Sequence, residues 1–205
     1  MSKIILIFIC FIANYNFVQS QKKLINQQKN SINFANEMYK TIYEIKLSND
    51  PLIVELVEKS DGSFFGNVNI AISRYYKSKN EDFIGKMPID SLITKLLISK
   101  IKIIALESVK NCYENDDCFQ GFDGVDTEFK IKHNKIIKNY SFWELIPNNI
   151  KESNVPENRK KAQEILNLLD EEINLKSKYL ELKQKLPKGK YFSWFGCGFN
   201  TFTIE

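Results

Sequence analysis

The sequence predicts an α+β fold, a two-layer sandwich whose mostly antiparallel sheet of about six or seven strands is covered by two main helices. Three observations carry that expectation. Apolar and polar residues alternate through Phe64–Tyr75 and again around Phe129 and Ile131, which is the period of a strand with one buried face. Turn-forming residues, Asp61-Gly62 and His133-Asn134, stand between such runs, and connections this short make neighbouring strands antiparallel. Two longer segments, Ser91 to about Lys110 and Pro156 to Leu186, place their leucines and isoleucines at helical spacing instead.

Residues 1–20 read as a signal peptide. Lys3 supplies a positive start, Ile4 to Ala13 an apolar run of about ten residues, and Val18-Gln19-Ser20 a cleavage site. A spanning helix needs about twenty apolar residues, so cleavage is expected and anchoring is not. Nor is any later stretch long and apolar enough to span a membrane. The mature chain is then expected to be exported: periplasmic, at the cell surface or extracellular. Residues 21–40 form a polar leader or short helix. Residues 41–205 form a single α+β domain.

Within that domain Ile42, Tyr43 and Ile45 mark a first strand and Leu52–Val57 a second. Phe64–Tyr75 is the third, with Val68, Ile70 and Ile72 on one face and Asn67, Asn69 and Ala71 on the other. The polar stretch Lys77–Lys86 reads as a loop. Asp90 caps the first helix, whose apolar face is expected at Leu92, Leu96, Ile103 and Leu106, widened by Leu97, Ile101 and Ile104. An acidic loop, Asn111–Gln120, leads to a second hairpin that reverses at His133-Asn134 and returns through Ile136–Phe142.

Further on, Ala162, Ile165, Leu166, Leu169 and Ile173 share one helical face, whereas Leu175, Tyr179, Leu182 and Leu186 share another. The displacement between the two predicts a bend or break near Asn174. The aromatic tail from Lys190 reads as two more strands around Gly196-Cys197-Gly198.

Charge and motifs narrow the chemistry. The balance of 29 basic to 25 acidic side chains, with no run of like charges, indicates neither a nucleic-acid arm nor a polybasic membrane patch. Cys10 falls in the removed peptide, and in an oxidising compartment Cys112 and Cys118 are expected to form a local disulfide. One histidine, His133, leaves no usual zinc spacing, and the acids from Glu114 to Glu128 do not follow the order of a calcium loop, so no metal and no cofactor is expected. Cys197 could act as a nucleophile only beside a base that lowers its pKa, and His133 is predicted at a hairpin tip.

Candidate binding residues are Trp143, Trp194, Asp123 and Asp126, because tryptophan makes an interface anchor or a sugar-stacking platform and both acids lie beside the second hairpin. The layout of signal peptide, early meander, GFDG and YSFW around the second hairpin, and closing LPKGKYF resembles that of small exported proteins of AT-rich bacteria. That resemblance implies the architecture and carries no activity or residue role. The expected function is therefore non-enzymatic: binding a macromolecule, a protein partner among the possibilities, or a structural role at the cell envelope. A small inhibitor or immunity-type protein is one alternative. An extracytoplasmic hydrolase using paired carboxylates or Cys197 is the other.

Overall fold

The computed structural model describes residues 32–48, 50–76, 79–110, 126–147, 155–195 and 198–205. The chain before the first helix makes four strands: β1 (Tyr39–Lys46), β2 (Leu52–Lys59), β3 (Phe64–Tyr76) and β4 (Lys79–Ile89). Then come α1 (Ser91–Ile104), a 3-10 turn at Leu106–Ser108, and the hairpin β5 (Asp126–His133) and β6 (Ile136–Trp143). Helices α2 (Glu157–Ile173) and α3 (Leu175–Gln184) precede a last hairpin, β7 (Gly189–Phe195) and β8 (Gly198–Ile204).

All eight strands join one sheet, and every pairing in it is antiparallel. Its spine runs β6-β5-β1-β2-β3-β4. Val68 of β3 pairs with both Val54 and Met87, and Ser73 with both Asp82 and Phe192. A residue has one partner per edge, so β2 and β7 share one edge of β3, end to end, while β4 takes the other. The length of β3 is thus what attaches the last hairpin. Residues Phe34–Glu205 form one compact unit.

Turn chemistry closes the hairpins as the sequence requires. Gly62 has φ +83° between β2 and β3, and the Asp61 carboxylate accepts from the Ser63 amide at 2.9 Å. Asn134 sits at φ +55° between β5 and β6.

Two expectations are corrected. The stretch expected as a loop is mostly β4, which pairs with β3 from Lys79 to Ile89. Its pairing is made by the backbone on an outer strand, where polar residues and Pro88 are tolerated, so side-chain alternation is no guide. With β4 the expected sheet of about six or seven strands has eight. The second correction concerns α1, which ends early at Ala105 (φ +54°) and buries Thr94, Leu97, Ile98 and Ile101. Leu92, Leu96 and Ile103 point outward, at 75%, 42% and 83% exposure. Apolar residues occupy both azimuths of this helix, and contact with β3 selects between them: a Cβ on Gly66 would lie 2.8 Å from the Thr94 hydroxyl.

The break at Asn174 is present. Asn174 (φ +49°) donates its amide to the Asp170 carbonyl, ending α2, and its side chain accepts from the Ser177 amide at 2.9 Å, starting α3. Of the expected bend or break it is the break that forms, so the expected second helix is two, α2 and α3, and three helices cover the sheet among the described residues.

All three helices among the described residues lie on one face. There Tyr43, Ile45, Val54, Leu56, Val68, Ile70, Phe129 and Ile131 meet Leu97, Ile98, Ile101, Ile165, Leu166, Leu169 and Leu182 in one core. Each such side chain removed from water contributes roughly 1.5–3 kcal/mol before the cost of ordering the chain.

Candidate functional site: the sheet face away from the helices

Strand pairing places one polar row across the far face. Asn67, Glu55, Glu44, Lys130 and Asn139 are successive cross-strand partners on β3, β2, β1, β5 and β6. Glu55 and Glu44 are 2% and 7% exposed. Asn69, diagonal to Glu55, is 5% exposed and its amide oxygen has no hydrogen-bond partner.

Lysines stand on the same face, yet each is engaged elsewhere. Lys46 donates to Glu128 at 2.7 Å, Lys132 donates to the Asn36 carbonyl at 2.7 Å, and the Lys130 ammonium lies 4.1 Å from the Phe34 ring centre. Burial raises the Glu44 pKa above the ordinary glutamate value, Lys46 and Lys130 pull it back, and Glu55 and Glu128 push it up.

The end of the β5–β6 hairpin carries the predicted binding residues. Asp126 and Trp143 are direct cross-strand partners on the far face, both partly exposed. The Ser141 hydroxyl donates to Asp126 at 2.6 Å, and the Trp143 carbonyl accepts from Arg159 of α2 at 2.8 Å, which ties this end of the hairpin to the helical layer. Trp194 lies in β7, opposite Phe199, on a different hairpin. Asp123, Cys112, Cys118 and Cys197 lie outside the described residues, and so do the expected signal peptide, disulfide and cleavage site.

On the helical side, polar groups are used to join elements. Glu58 accepts from Lys102 at 2.5 Å, Thr41 at 2.9 Å and Lys40 at 3.1 Å, linking β1, β2 and α1. Burial alone would raise its pKa, but these donors outweigh it and hold the carboxyl at about 2. Nearby, the Tyr43 hydroxyl and the Glu107 Oε2 are buried without partners. Burial and the two acids raise the Tyr43 pKa. Along β6 a half-open cleft of about 310 Å³ is lined by Ser108–Lys110 and Ile137–Tyr140. Lys138 and Tyr140 hold its inner wall by donating to the carbonyls of Glu107 (2.7 Å) and Val109 (3.1 Å).

His133 is exposed beside the β5–β6 turn. Among the described residues no group of three or more His, Cys, Asp or Glu is placed to hold a metal ion, and no helix is long and apolar enough to cross a membrane.

Glu44 and Glu55 are the residues that the sequence reading missed. The available signal was a single acid inside each of two apolar runs, TIYEIK and LIVELV. Set beside protein-family models, curated proteins and solved structures, the chain matches none.

Proposed function

We propose that this is an exported protein that acts by binding a macromolecule, a protein partner first among them, at the cell envelope or outside the cell. The single observation that carries this reading is the Asp126–Trp143 pair. Register brings an aromatic anchor and a carboxylate, far apart in sequence, side by side on the sheet face that the helices leave alone. A partly exposed tryptophan beside a hydrogen-bonded acid combines apolar area with a fixed polar contact, the combination that concentrates binding energy in protein interfaces. An inhibitor or immunity-type role is a special case of the same reading, with one tight partner. The hydrolase alternative has less support, because Glu44 and Glu55, the directly paired carboxylates, are too enclosed to meet a substrate.

The test compares what is retained from its native compartment by the wild-type protein, by the Trp143→Ala/Asp126→Ala double variant, and by Ile103→Glu on the outer side of α1. The reading predicts one protein held in stoichiometric amount by the wild type and by Ile103→Glu and lost from the double variant. Equal retention by all three, or by none, contradicts it.

A further inference from the structure

Strand β6 ends the sheet. Among the described residues its one strand neighbour is β5, and all eight of its residues pair there without a bulge. The ladder decides which of its backbone groups point away from β5. The Asn134 amide donates to the Lys40 carbonyl at 2.7 Å, so Asn134 and the even-numbered residues of β5 turn their backbone groups to β1, and the odd-numbered residues turn theirs to β6. Those odd-numbered residues pair with Ile136, Lys138, Tyr140 and Phe142, which leaves the N–H and C=O groups of Ile137, Asn139, Ser141 and Trp143 along the outer edge. Arg159 takes the Trp143 carbonyl at 2.8 Å. Among the described residues the outward backbone groups of Ile137 and Ser141 have no partner.

Edge strands are ordinarily blunted by proline, a bulge or outward charge. On the opposite side of the sheet β4 carries Pro88. In β6 there is no proline, and its one lysine, Lys138, draws its ammonium back to the Glu107 carbonyl at 2.7 Å. Ile136 and Ile137 stand 65% and 44% exposed. Alongside runs the half-open cleft of about 310 Å³, bounded by Ile137–Tyr140 and by Ser108–Lys110.

We propose, resting on the partner-binding reading above, that the outer edge of β6 holds the protein partner by strand addition: an extended segment of the partner pairs its backbone with Ile137–Ser141 and continues the sheet.

Backbone donors and acceptors at strand spacing are met by another strand, and alternate side chains supply the selectivity. The side chains of Ile137 and Trp143 project on one face, so the added segment is apolar on that side, with Asp126 one strand further in. The Ser108–Lys110 segment disfavours a second copy of this chain in the same place. Two β6 edges brought together would each carry such a wall, whereas a single extended segment meets one.

The experiment is amide hydrogen exchange in the whole exported chain, free and with the protein that the wild type retains from its native compartment, joined to retention by Ile137→Pro and Ile137→Thr. Proline here removes an outward N–H and spares the ladder to β5; threonine changes the side chain and keeps the N–H. In the free chain the Lys138 and Tyr140 amides should exchange slowly and those of Ile137 and Ser141 rapidly, and in the complex all four should be slow. Retention should fall about tenfold or more in Ile137→Pro and persist in Ile137→Thr. Slow exchange at Ile137 and Ser141 in the free chain, as a monomer or as a dimer, would overturn the proposal, and so would rapid exchange there in the complex. If Ile137→Pro retains what the Trp143→Ala/Asp126→Ala variant loses, strand addition fails and the partner-binding reading stands; if the wild type retains nothing, both fail. The wild-type exchange pattern decides the matter even where Ile137→Pro does not fold.

Discussion

Glu58 and Glu44 are both buried glutamates on central strands, and their surroundings drive them in opposite directions. Glu58 meets three donors from two elements, β1 and α1, and is held at about 2. Its folded-state pKa is below the unfolded one, so its contribution is full above the unfolded value and is lost as the pH falls towards about 2. Replacing Glu58 with Gln is expected to cost about 2 kcal/mol at neutral pH in denaturant unfolding, and the cost should shrink towards zero in strong acid. Gly66 is constrained by space instead. A Cβ there would also lie 3.1 Å from the Glu55 carbonyl oxygen, a backbone atom that cannot swing away. Gly66→Ala should therefore destabilise by about 1–3 kcal/mol, read as a lower denaturation midpoint with unchanged slope.

Among the elements, what could be read from sequence was what local chemistry decides. The Asp61-Gly62 reversal, the Asp90 cap and the break at Asn174 stand, and the reversal expected at His133-Asn134 falls one residue later, at Asn134-Lys135, because each rests on residues that satisfy backbone groups within a few positions. The failures are elements decided by distant partners. β4 is held by its ladder to β3, and the buried side of α1 is selected by the fit of Thr94 against Gly66. The candidate site divides the same way. Asp126 and Trp143 were legible as residue types, but their pairing, and that of Glu44 with Glu55, depends on register, where a slip of one residue reverses every face. Asn174 offers a test of the local rule. Asn174→Ala should cost about 1–2 kcal/mol in thermal or denaturant unfolding, because it removes the cap of α3 and puts at positive φ a residue that tolerates the left-handed region less well than asparagine. Asn174→Gly should cost only a few tenths of a kcal/mol.

At the scale of the whole molecule the buried acids set a pH profile. Glu44 and Asp50 have folded-state pKa values raised by burial, so the folded chain binds more protons than the unfolded chain just above the ordinary carboxylate range, and stability falls as the pH rises through their folded values. Glu58 acts with the opposite sign below that range. Stability should therefore peak in mild acid, and Glu44→Gln should flatten the alkaline side of the peak; unfolding midpoints measured across the pH range check both. The helical layer and the far face thus divide the work, one holding the fold together and the other presenting the Asp126–Trp143 end of a hairpin outward.

Photo-crosslinking in the native compartment tests that presentation most directly, with a photoreactive residue in place of Glu128, exposed on the far face, or of Ile103, exposed on α1. The account predicts a crosslink to one defined protein from position 128 and none from position 103. No crosslink from position 128, or the same set of products from both, would contradict it.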